Sequence, residues 1–156
     1  MAVTTSRVPA AVDALLAILR ATPALEDIRI VDGPDAVNQT DRHRIHIGWQ
    51  PGSEAAVTLQ QQFNAAGART RDEAFTIACY AETRGGDKDM ALRRARVFEI
   101  VAAVETALRA TNEAPTAPTL NGTVLWAHIT AGDLFQVQSE GAIAGLHFTV
   151  TCQARI

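Results

Sequence analysis

Apolar residues along this chain follow two periods, and the places where one gives way to the other mark its elements. Val8, Val12, Leu15, Leu16 and Leu19 share one helical face, with Pro9 at a first-turn position, so a helix is expected over residues 8–19. Ile28, Ile30 and Val31 form a short β-branched run closed by Asp32-Gly33-Pro34, which predicts a strand at 28–31. Residues 43–49 alternate, with His43, Ile45, Ile47 and Trp49 on one side and Arg44, His46 and Gly48 on the other. That is a half-buried strand, stopped by Pro51-Gly52.

Residues 51–72 read differently. Val57, Leu59 and Phe63 alternate with polar positions, but Gln60, Gln61 and Gln62 make the run wet on both sides. Asn64-Ala65-Ala66-Gly67 is a turn, and Phe75, Ile77 and Cys79 resume a strand over 73–80, so a hairpin with a polar tip is expected. Gly85-Gly86-Asp87 breaks the pattern and offers Asp87 as N-cap of a long helix. Its stripe is Met90, Val97, Val101, Val104 and Leu108, flanked by Phe98 and Ala107, with Arg96, Glu99, Thr106 and Ala110 opposite.

Residues 111–122, with Pro115, Pro118 and Gly122, are a linker. A strand is expected at 123–129, with Val124, Trp126 and His128 on one side and Leu125, Ala127 and Ile129 on the other. The last strand is the most regular: Leu146, Phe148, Val150, Cys152 and Ala154 alternate with His147, Thr149, Thr151, Gln153 and Arg155. This order predicts an α+β fold, a mainly antiparallel β-sheet with two main helices packed on one face and an extended polar hairpin arm over 51–72. Phe75, Ile77, Val97, Val101, Leu146, Phe148 and Val150 are expected in one core.

Length and composition narrow this further. At 156 residues, 47% hydrophobic and 20% charged, the chain can build one packed core, so 1–156 is read as a single domain. A net charge of −3 argues against a nucleic-acid-binding module. No stretch approaches the roughly 20 apolar residues that span a bilayer, so no membrane partner is expected. Asp13 interrupts the N-terminal apolar run and no basic region leads it, so secretion is not expected either. Cys79 and Cys152 then read as buried reduced thiols of a cytosolic protein.

Chemistry-bearing residues do not converge in the sequence. His43 and His46 are three apart on a strand and point to opposite faces. His128 and His147 lie on strands that could pair, but no nearby Cys, Asp or Glu completes a ligand set, and structural histidines are the simpler reading. Ser6, Ser53 and Ser139 lie outside any G-x-S-x-G setting. Asp87 and Asp89 are accounted for by capping, and Arg93, Arg94 and Arg96 by a salt-bridged face with Asp89, Glu99 and Glu105. No catalytic, cofactor-binding or metal-binding residue is assigned, and no cofactor is expected.

From Thr76 onward the chain runs through the strand IACYAET, the break RGGDKDM, the helix ALRRARVFEIVAAVETALRA, the segment LNGTVLWAHIT and the closing strand GLHFTVTCQARI. This resembles the tail terminator proteins of long-tailed (siphovirus-type) bacteriophages, particularly those of actinobacterial phages and prophages. The resemblance implies a homohexameric ring on the head-proximal end of the tail tube, within a virion assembled in the host cytoplasm. Such a ring stops tube growth and joins the tube to the head–neck connector, with the genome path through its lumen and no sequence-specific nucleic-acid contact. The partners implied are other copies of the chain, the tail tube protein and the connector or neck protein. It implies no active site. A head-completion or neck protein of the same virion type is the nearest alternative, and a small enzyme or ligand-binding domain using His128 and His147 is one of another class.

The glutamine-rich segment is where a partner is expected. Val57, Leu59, Gln61 and Phe63 have little intramolecular reason to alternate as they do, and Arg69 and Arg71 add directed donors for carboxylates. These six residues are expected at a subunit or tail-tube interface, on an arm that orders only against its neighbour.

Overall fold

Two strands of fourteen residues each, Arg71–Arg84 and Ala142–Arg155, pair antiparallel almost end to end and form the spine of the molecule. The computed structural model describes residues 5–34, 42–67, 69–138 and 140–156. Among them the order is α1 (Val8–Arg20), β1 (Arg29–Asp32), β2 (His43–Ile47), β3 (Val57–Phe63), β4 (Arg71–Arg84), α2 (Met90–Ala107), β5 (Trp126–Gln138) and β6 (Ala142–Arg155). The sheet runs β1-β2-β4-β6-β5, with β3 also paired to β4; β1 and β2 are parallel and the other pairs antiparallel. This is the expected α+β fold with a mainly antiparallel sheet.

β2 and β3 lie end to end along the same edge of β4, β2 against Cys79–Thr83 and β3 against Arg71–Ile77. The junction is Ala78. Its carbonyl accepts from both Gly48 and Trp49, and its N–H donates to Ala56. Two donors on one carbonyl, with Gly48 at φ +79°, make a bulge that turns the chain over. Trp49 therefore lands beside His46 and Tyr80, not on the Ile45 side that strict alternation assigns to it.

Both helices cover one face. Ala11, Leu15, Leu16 and Leu19 of α1 and Val97, Ile100, Val101 and Val104 of α2 join Ile45, Ile47, Phe75, Ile77, Leu146, Phe148 and Val150 in one buried cluster. All seven expected core residues belong to it. Burying each large side chain contributes roughly 1.5–3 kcal/mol.

Four local readings need correction. The N-cap of α2 is Asp89, whose Oδ1 accepts from Leu92 N–H, not Asp87. Asp87 is held upstream because its carbonyl accepts from Ala142 N–H while Gly85 N–H donates to the Ala142 carbonyl. Val124 is buried and Leu125 exposed, because the chain turns before Trp126 where β5 begins. β5 itself runs on past Ile129 to Gln138, with Gly132-Asp133 in a bulge between Ala131 and Leu134. Finally, Val57–Phe63 is not a free arm. It is paired in register with β4 in the single chain and continues the sheet.

Candidate assembly surfaces

The six residues expected at an interface lie along β3 and its return. β3 faces β4 on one side and has no strand on the other among the described residues. Val57 is half-buried against the core, whereas Leu59 is 44% and Phe63 67% exposed, on the helix-bearing face but beyond the reach of the helices. Gln61 accounts for part of the glutamine run. Its amide donates to Glu73 Oε2 at 2.6 Å and to the Thr5 carbonyl at 2.8 Å, and its Oε1 accepts from Arg71 Nη1 at 3.1 Å. Arg71 is thus engaged within the chain, where a partner's carboxylate was expected, while Arg69 is exposed.

The second surface is the face of the sheet away from the helices. Tyr80 on β4 lies opposite His147 on β6, edge to face at 5.5 Å. Phe135 packs on the other side of His147 at 4.7 Å, and Trp49 stands 6.0 Å from Tyr80. Gln50 pins the Trp49 loop across this face by donating to the carbonyls of Cys79 and Phe148. The Tyr80 hydroxyl donates to Glu82 Oε1 at 3.3 Å, and Glu82 is bound by the guanidinium groups of Arg44 and Arg84.

Burial, and then the neighbouring Glu82 carboxylate, push the Tyr80 hydroxyl above its ordinary range. Burial would raise Glu82 as well, but the hydrogen bonds from Arg44 and Arg84 outweigh it and hold the carboxyl below the usual range. Toward β5 the face becomes apolar. Trp126, Phe135 and Val137 are 41%, 47% and 52% exposed, and Ile143 lies beside Val137.

The histidines do not converge. His43 Nδ1 meets Thr83 Oγ1 at 2.8 Å on the helix-bearing face, and His46 donates from Nδ1 to the Gly33 carbonyl on the other. His128 stacks on Trp126 at 4.7 Å and pairs with Thr151, four residues along β6 from His147, a separation of roughly 13 Å at strand spacing. Cys79 and Cys152 are buried free thiols, each pushed up to about 12 by burial. Among the described residues no helix is long and apolar enough to cross a membrane.

Sequence reasoning passed over Tyr80, Glu82 and Arg84. Their spacing of two was the available signal, since it places all three on one face of a strand. No protein-family model matches the chain, and no curated protein matches it.

Proposed function

We propose that this chain is a phage tail terminator, assembling as a homohexameric ring that caps the head-proximal end of the tail tube and presents a joining surface to the neck connector. The observation that carries this reading is the placement of two different exposed apolar surfaces at opposite edges of one sheet. Leu59 and Phe63 stand on β3 at one edge, and Trp126, Phe135 and Val137 on β5 at the other. A subunit with unlike patches on opposite sides joins head to tail, and head-to-tail contacts close into a ring when the rotation per step divides the circle. The element order of residues 76–156, with its resemblance to tail terminators, supports the same reading.

The test is to add the purified chain to tail tube protein as it polymerises. Tubes of arrested length, each with a ring at one end in electron micrographs and a six-fold mass for the detached ring, are expected. Unchanged tube growth together with binding to the neck connector would point to a head-completion protein instead.

A further inference from the structure

The sheet shows three edges among the described residues, and the chain protects two of them. β1 is four residues long with Arg29 and Asp32 at its ends, and β5 is interrupted by the Gly132-Asp133 bulge. Shortness, charge and bulges are the devices that keep an edge from pairing with another sheet. β3 has none of them. Its seven residues, VTLQQQF, carry no charge and no proline and pair with β4 without a register shift. Such a segment on an open edge pairs readily between chains.

The pairing with β4 fixes which groups remain free. Ala78 N–H donates to the Ala56 carbonyl and Asn64 N–H to the Thr70 carbonyl, so even-numbered positions of β3 turn their main-chain groups toward β4. Val57, Leu59, Gln61 and Phe63 turn theirs outward, where no described residue meets them. In an antiparallel pair, residues directly opposite share a face and a hydrogen-bonding state.

β3 satisfies both conditions against a copy of itself centred on Gln60. Val57 then lies opposite the partner's Phe63, and Leu59 opposite the partner's Gln61, all in hydrogen-bonded positions. Gln60 meets the partner's Gln60 on the two-fold axis. A shift of two residues in either direction leaves an outward position unpaired at the end of the strand, so this register alone uses all four.

We propose that the free protein closes this edge on a second copy of itself, β3 against β3 in that register. The contact is isologous and stops at two chains, covering Leu59 and Phe63. It goes beyond the ring and stands whether or not the chain caps a tail. Within the ring reading, the same edge is vacated when a neighbouring subunit or the tube takes it.

The experiment uses the full chain carrying Gln60→Cys, Thr58→Cys or Gln62→Cys, with the buried Cys79 and Cys152 left in place. Cross-strand cysteines at non-hydrogen-bonded positions lie within disulfide reach. Mild oxidation should give a covalent dimer with Gln60→Cys alone, none with Thr58→Cys alone, and one when the Thr58→Cys and Gln62→Cys proteins are mixed. Sedimentation should give twice the 16.7 kDa chain mass for the unmodified protein and half that value for Leu59→Lys, whose circular dichroism stays native. A monomeric unmodified protein, cross-linking by Thr58→Cys without Gln60→Cys, or a Leu59→Lys protein that stays dimeric would each overturn the pairing.

Discussion

Gln61 reaches across the strand pair to its register partner Glu73 and donates a 2.6 Å hydrogen bond to a carboxylate with no exposed surface. The other carboxylate oxygen accepts from the main-chain N–H of Arg7, the N-cap of α1, whose own side chain makes no cap, while Ser6 Oγ accepts from Val8 N–H. A residue from a distant strand thus supplies the anion that the positive helix end favours. Gln61→Leu removes one partner from that buried carboxylate and should cost about 1–3 kcal/mol in urea unfolding. Combined with Glu73→Ala in a double-mutant cycle, it should show a coupling of at least about 1 kcal/mol. A coupling near zero would show that the bond stabilises nothing.

Tyr80 lies so close over Gly145 that a methyl group there would collide with its ring and hydroxyl. Gly145→Ala should therefore displace Tyr80 from Glu82 and destabilise by roughly 1–3 kcal/mol, the usual range for overpacking. Tyr80→Phe in the Gly145→Ala background should recover little, because the ring carbons clash as well as the hydroxyl. Thermal melts of the single and double variants check this, and an unshifted melting temperature for Gly145→Ala would contradict the packing.

Acid should weaken the fold in two stages. Burial is the main cause that lowers His43 and His147, helped at His43 by Arg96 and opposed at His147 by Asp133. A histidine lowered on folding binds fewer protons folded than unfolded, so its contribution is complete above about pH 6.5 and declines as pH falls below that. Glu82, also lowered, contributes fully above about pH 4.3 and loses that contribution as pH falls through its folded value. Melting temperature should hold between pH 7 and 8, fall first below about 6.5 and again below about 4.3. His147→Phe should shrink the first step. Glu82→Gln should remove much of the second, at a cost of about 3 kcal/mol at neutral pH.

Most of the fold was legible because its buried positions keep the period of their element. β6 alternates strictly from Leu146 to Ala154, which placed that part of it, but its first four residues were missed because Ala144, Gly145 and Leu146 are buried in succession. α2 was placed by Val97, Val101 and Val104, while the buried Ile100 was not read as part of its stripe. Where the reading slipped, a backbone irregularity intervened. Gly48 turns Trp49 to the other face, and the bulge at Gly132-Asp133 breaks the alternation along β5 beyond Ala131. The glutamine run misled for another reason. Its single half-buried member, Gln61, is explained by Glu73, twelve residues away, and no local pattern encodes that contact. The Tyr80, Glu82, Arg44 cluster joins two strands and depends on register, which one sequence does not display.

The β5 surface offers a way to separate the ring from the resting dimer. Phe135 and Val137 face away from the helices, roughly half exposed, and pair with Gly145 and Ile143 at the edge opposite β3. Asp at both positions removes the Phe135–His147 ring contact and the buried half of each side chain, so the fold should lose roughly 0.5–3 kcal/mol but stay folded by circular dichroism. If the ring forms head to tail, each contact needs one β3 edge and one β5 edge, and desolvating two new carboxylates in every contact blocks closure. The pairing of β3 with β3 does not involve β5. The Phe135→Asp, Val137→Asp protein should therefore sediment as a dimer, keep a native circular-dichroism spectrum with a modestly lowered melting temperature, and leave tail tubes uncapped. Leu59→Lys should instead be monomeric as well as inactive in capping. Normal capping by the double Asp variant would remove β5 from the ring contact, and loss of its dimer would show that β3 is not the only edge holding two free chains together.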